Sequence, residues 1–149
     1  MSRAAKHVGR GEGKTVTVIG GDRITFKATA EDTGGAYTLL ETTTDAGAGP
    51  PPHVHRNEEE AFYVLEGTFE FHVGDQVVRA TPGAFLVGPR GVPHWFQNVG
   101  ATPGRLLVTV SPGGAERFFE ALAAASAQVP PDIPRIKAVA AQYGVDLLV

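Results

Sequence analysis

The feature that most constrains this 149-residue chain is a two-part spacing of three histidines, one glutamate and a set of glycines and prolines. In the first part Gly47 is followed after five residues by His53-Val54-His55, after four more by Glu60, and after six more by Gly67. In the second, Gly83 is followed after five residues by Pro89, after one by Gly91, after two by His94, and after three by Asn98. Side chains alternate across a strand, so His53 and His55 project to one side. Glu60 opens a strand-like run that ends at Gly67, a natural hairpin position, and Phe62 and Val64 share its parity. His94 and Asn98, four apart, share a face for the same reason. Pro89, Gly91 and Pro93 punctuate a tight entry into the His94 strand.

Three neutral imidazoles and one carboxylate suit a borderline divalent ion: zinc, iron, manganese, nickel, cobalt or copper. The chain has no cysteine, which excludes thiolate sites. His53, His55, Glu60 and His94 are therefore the expected ligands of one divalent transition metal. Glu58 and Glu59 compete with Glu60 for the carboxylate role. Glu59 is one residue out of phase and faces the opposite side of a strand, while Glu58 shares the parity of Glu60 but falls in the loop before the strand. His72, in Phe69-Glu-Phe-His-Val73, alternates with the apolar set and is expected to face solvent beside Glu70 rather than to bind metal. His7 belongs to a basic, glycine-containing leader expected to be flexible over residues 1–14.

At 149 residues with 42% hydrophobic content, the chain has room for one well-packed domain. Nineteen glycines and eleven prolines fall mostly between short β-rich runs, as an all-β barrel or sandwich requires. The net charge of −3, with signs interspersed, leaves no electrostatic footprint for nucleic acid. Arg3, Lys6, Arg10 and Lys14 form the one basic cluster, read as a solvated tail. No stretch approaches the length of a membrane span, and the leader lacks the apolar core of a signal peptide. With no cysteine, a cytoplasmic protein is the expectation.

Strands are expected at Thr15–Ile19, Arg23–Thr29, Ala36–Thr43, Glu60–Leu65, Phe69–Val73, Gln76–Ala80, Ala84–Val87, His94–Asn98 and Arg105–Val110. Three prolines at 50–52 stiffen the approach to His53. Fifteen residues separate Gly67 from Gly83, enough for two short strands and a turn, and no internal duplication is visible. After Val110 the texture becomes helical. Ser111-Pro112 reads as an N-cap and first helical position, and Ala115–Ala125 carries Phe118, Phe119 and Leu122 on one side. A second helix is expected from Asp132 to Tyr143, with Gly144 at its C′ position. The expectation is a barrel over about residues 15–111 and a helical segment over 112–149.

The two spacings are the signature motifs of the cupin superfamily, which this sequence resembles with no motif position missing. The runs PPPHVHRNEEEAFYVLEG, PRGVPHWFQNVG and SPGGAERFFEAL, with PDIPRIKAVAAQYGV after them, resemble small actinobacterial-type cupins grouped with quercetinases. The resemblance runs from about Ala36 to the C terminus. It implies an all-β double-stranded β-helix, the jelly-roll barrel, with two short C-terminal helices. It implies one metal ion held by His53, His55, Glu60 and His94. It also implies a single cupin domain over residues 15–149 that pairs as a homodimer, through the Phe118/Phe119 face and the N-terminal strands.

In the flavonol dioxygenases of that group the substrate hydroxyl is deprotonated and coordinates the metal, and the ligand glutamate takes or holds the proton. Carried onto this chain, Glu60 is both a ligand and the catalytic base. Phe62, Val64 and Phe96 would line the substrate, and Asn98 would fix backbone at its strand end. No arginine or lysine in the motif strands is placed to receive a carboxylate, which favours a neutral aromatic or polyketide-like small-molecule substrate. Two other readings stay open. One is a non-redox isomerase, cyclase or decarboxylase on the same site, and the other is a metal-dependent small-molecule binding protein.

Overall fold

The structure is a computed structural model describing residues 3–149; the first two residues of the expected leader lie outside the described residues. The described residues form eleven strands and three helices, built from short segments. β1 (Thr15–Thr17), β2 (Arg23–Ala28), β3 (Thr38–Thr44), β10 (Gly104–Ser111), β5 (Glu59–Glu66) and β8 (Phe85–Gly88) form one antiparallel sheet in that spatial order. β11 (Val145–Leu147), β4 (His53–His55), β9 (His94–Asn98), β6 (Phe69–Val73) and β7 (Gln76–Ala80) form the second. This is the two-sheet jelly roll that the sequence predicts.

The period-two pattern decides which face is core. In β3, Thr38, Leu40, Thr42 and Thr44 are buried and the residues between them are half-buried. In β5, Glu60, Phe62 and Val64 are buried while Glu59 and Tyr63 face solvent. The two inner faces meet in an aromatic cluster in which Phe62, Phe69, Phe71 and Phe96 keep ring centroids 5.2–6.2 Å apart. Such tilted or edge-on pairs add about 0.5–1.5 kcal/mol each beyond the area they bury.

The C-terminal segment departs from expectation in three places. Ser111 still pairs with Glu59 in the sheet, so it is the last residue of β10 and not a helix cap. Helix α2 (Ala115–Ser126) starts three residues beyond Pro112, with Gly114 at its N-cap. Thr38 of β3 anchors that start: its hydroxyl accepts from the Gly114 backbone N–H at 3.0 Å and donates to Glu116 at 2.7 Å. Helix α3 (Ile133–Gln142) is capped by Asp132, whose carboxylate accepts from Arg135 N at 3.1 Å. After Gly144 the chain returns to the sheet as β11, paired with β4, where no strand is expected from the sequence. A short helix α1 (Ala30–Thr33) is a further unexpected element.

Phe118, Phe119 and Leu122 of α2 are buried against the barrel of their own chain. The face expected to pair two copies is therefore covered from within. The segment before β1 is tied to the first sheet: Lys27 donates to the carbonyls of Gly9 (3.0 Å) and Glu12 (2.7 Å), and Lys6 pairs with Asp32 at 2.6 Å. No helix among the described residues is long and apolar enough to cross a membrane.

Candidate metal centre

Three strands bring four side chains to one point. β4 supplies His53 and His55 on a single face, β9 supplies His94, and β5 supplies Glu60. His53 lies opposite His94 in the β4–β9 ladder. His55, Glu60 and His94 are all buried, and the His53 side chain is 12% exposed. One donor atom from each of the four residues lies within 4.8 Å of all the others.

The outer ring nitrogens are anchored away from the centre. His53 Nδ1 donates to the Pro51 carbonyl at 2.8 Å, and His94 Nδ1 donates to the Val92 carbonyl at 3.0 Å. His55 Nδ1 lies 3.6 Å from the Glu58 carboxylate. The inner Nε2 atoms of His94, His55 and His53 then converge on Glu60 Oε1 at 2.9, 3.1 and 3.7 Å. With its Nδ1–H committed to a carbonyl, a neutral imidazole presents only a lone pair from Nε2. The lone pairs of His94 and His53 thus face a carboxylate oxygen, acceptor against acceptor. Only a proton or a cation reconciles that geometry.

The charges agree. Burial alone would raise the Glu60 carboxyl, yet the imidazoles around it hold it well below its ordinary value. Burial keeps the His53 ring below the usual histidine range, so it is a neutral donor. Burial also opposes charge on His55, but the Glu60 and Glu58 carboxylates outweigh it and push that ring up to about 10. The cluster therefore carries an anion at its centre and a proton on His55 to balance it. A divalent ion held by the four residues would take over that balance in place of the proton. Three imidazoles, two of them with fixed tautomers, and one ionised carboxylate fit a divalent transition metal.

Backbone choices hold the cluster in place. Gly91, with φ of 77°, makes the turn into β9 and donates its N–H to the His55 carbonyl at 2.8 Å. Gly88 lies opposite Glu60 in the β5–β8 ladder, and a β carbon there would come within 2.9–3.0 Å of three ring atoms of His94. Asn98 donates to the carbonyls of Thr44 (2.9 Å) and Thr102 (2.8 Å) and accepts from Gly100 N at 2.9 Å, so it fixes backbone at the strand end, as expected.

The competing residues fall where parity places them. Glu59 is exposed. Glu58 stands behind His55, its Oε2 buried and without a hydrogen-bond partner, beside a small cavity that also touches Tyr143. His72 bonds to Glu70 at 2.8 Å and stacks on Trp95 with centroids 3.8 Å apart, away from the cluster.

The centre opens into a cavity between the two sheets, roofed by α2 and β11. Its volume is about 50 Å³, so it is narrow. Phe62 and Phe96 line it, whereas Val64 is fully buried in the core and does not. No arginine or lysine among the described residues lines it. Phe118, Phe119 and Leu122 do, which gives the C-terminal helices a role that sequence reasoning missed. Also missed is Asp22, 3% exposed, in the turn Gly20-Gly21-Asp22. Burial drives its carboxyl up to about 6, opposed by a hydrogen bond from Thr44 and reinforced by Glu60.

Residues 40–110 match the family model described as Cupin domain. Germin-like protein 1-1 of Oryza sativa subsp. japonica is 28% identical over 113 residues, which cover 65% of this chain and 52% of that protein. The chain thus spans about half the length of this curated relative. A cupin from Shewanella frigidimarina described as RmlC-like superposes with a TM-score of 0.63 at 24% identity, over 76% of this chain and 96% of its own. The polyketide cyclase RemF of Streptomyces resistomycificus superposes with a TM-score of 0.62 at 25% identity, over 72% and 79% respectively. The fold of this chain is that of the cupins.

Proposed function

We propose that this chain, a cupin domain carrying a three-histidine, one-glutamate centre, is a metal-dependent enzyme for a flat, neutral, enolisable aromatic or polyketide-like substrate, and that it works as a quercetinase-like dioxygenase. One observation carries the reading: Glu60, buried and ionised, sits where the imidazole donors converge, on the wall of a narrow, mostly apolar cavity that no arginine or lysine among the described residues lines. A bound divalent ion would supply Lewis acidity toward a substrate oxygen. The chain's own residues do the rest. His53 and His94 hold fixed tautomers through the Pro51 and Val92 carbonyls, and Glu58 stands behind His55 as a nearby negative charge. Phe62 and Phe96 flatten the cavity walls, and Phe118 and Phe119 close it against water. Glu60 accepts the proton of an enolic or phenolic hydroxyl at its carboxylate.

The test is oxygen uptake by metal-loaded protein supplied with flavonols. Uptake with ring-cleaved product, lost in Glu60→Gln while metal occupancy is retained, supports the dioxygenase. Gln keeps a carbonyl donor but cannot accept the proton. No uptake with iron, nickel, cobalt or manganese sinks it.

The likeness to the polyketide cyclase RemF favours a second reading, a non-redox cyclase, isomerase or decarboxylase on the same centre. Product formation under strictly anaerobic conditions distinguishes it. Pairing of the chain as a homodimer remains a proposal, to be checked by sedimentation.

A further inference from the structure

The cavity holds a second polar point away from the metal ligands. Thr42 of β3 is 5% exposed and lines the cavity, yet its hydroxyl has no hydrogen-bond partner among the described residues. Its neighbours on that wall, Leu40 and Ile24, are apolar. Asp22 lines the same cavity, and among the described residues its side chain makes one hydrogen bond, from the Thr44 hydroxyl to Oδ1 at 2.5 Å. Thr42 and Thr44 are two residues apart on one face of β3, roughly 7 Å between α carbons. The Asp22 carboxyl, bonded to Thr44, and the Thr42 hydroxyl therefore belong to the same wall of the cavity. Both come from the β2–β3 side, whereas the three histidines come from the opposite sheet.

An unpartnered buried hydroxyl and a half-used buried carboxyl each cost stability. Packing does not need them, since valine has the shape of threonine and asparagine would still accept from Thr44. We propose that Asp22 and Thr42 form a hydrogen-bonding anchor for a neutral hydroxyl group on the substrate, set apart from the group that meets the metal centre. A hydroxyl matches both partners at once, donating to the Asp22 carboxylate and accepting from the Thr42 hydroxyl. A carboxylate or phosphate at that position is repelled by Asp22. The inference rests on the reading of this cavity as the substrate site, but not on which reaction runs there.

The test uses metal-loaded wild type, Thr42→Val and Asp22→Asn. Binding is titrated with 3-hydroxyflavone and with its 5-, 7- and 4′-hydroxy derivatives. In the wild type, at least one derivative should bind roughly tenfold more tightly than the parent, the scale of one satisfied buried hydrogen bond. That preference should fall to within about threefold in either variant, while the parent binds all three proteins within about twofold. Without ligand, Thr42→Val should melt no lower than wild type, because it deletes an unpartnered hydroxyl.

A preference that survives both substitutions overturns the anchor. So does a Thr42→Val melting point lower by more than about 4 °C, which would mean that the hydroxyl has a structural partner. Failure of every flavonol to bind the wild type contradicts the substrate class proposed above and not the anchor. The anchor is then decided by the melting result and by phenol against toluene, with the same collapse of preference expected in the variants.

Discussion

Gly88 lies directly beneath the imidazole of His94: a β carbon at Gly88 would come within 2.9–3.0 Å of three atoms of that ring. The crowding atoms belong to a metal-ligand candidate whose Nδ1 is already bonded to Val92, so the ring has no free direction in which to yield. Gly88→Ala should therefore lower metal affinity at least tenfold, the scale seen when the support of a ligand is disturbed. Isothermal titration with zinc checks this. Wild-type affinity in the variant would show that the ring has more room than the structure gives it.

His72 and His94 offer the control. His72 is held by Glu70 and Trp95 outside the cluster. His72→Ala should leave metal stoichiometry unchanged, and His94→Ala should abolish stoichiometric binding, both read by elemental analysis of dialysed protein.

Asn98→Ala separates support from chemistry. Its side chain satisfies the buried Thr44 carbonyl, the carbonyl of exposed Thr102 and the Gly100 N–H. Their loss should destabilise the fold by about 2–4 kcal/mol while metal occupancy at 15 °C stays complete. Loss of metal in a still folded variant would give Asn98 a role beyond the backbone.

Asp22 makes stability depend on pH. Its folded pKa is raised from 3.8 to about 6, with burial as the main cause, Glu60 adding to it, and Thr44 and Arg23 opposing. A raised folded value means that its contribution is fully present below 3.8 and is lost as pH rises through about 6. The penalty reaches about 3 kcal/mol above that window. Asp22→Asn removes it. The stability difference between variant and wild type, from urea unfolding, should therefore grow in the variant's favour from pH 4 to pH 7. A difference flat across that range would place the carboxyl in contact with water.

The metal ligands were legible in the sequence because their spacing is local: strand parity puts His53 beside His55, chooses Glu60 over Glu59, and sends His72 outward. What parity could not reach is what distant pairing assembles. Gly88 matters only because β8 lies against β5 beneath the ring of His94. Thr42 and Asp22 face the cavity through the pairing of β2 with β3 and a glycine turn, and neither belongs to a motif. Strand β11 is three residues long and is defined by its partner β4, so its own pattern carries no signal. Ser111-Pro112 has good capping chemistry, but the β10 ladder claims Ser111 first. The stripe of α2 alone does not say whether Phe118 and Phe119 cover a second copy or their own barrel, because amphipathic helices look alike in both cases.

The central claim is that His53, His55, Glu60 and His94 hold one divalent ion, and anomalous diffraction from crystals of metal-loaded protein tests it most directly. A single strong peak is expected, with His53, His55 and His94 Nε2 and a Glu60 oxygen about 2.0–2.3 Å away. A peak elsewhere, coordination by Glu58 or Glu59, or a loaded crystal with Glu60 turned from the ion would contradict it.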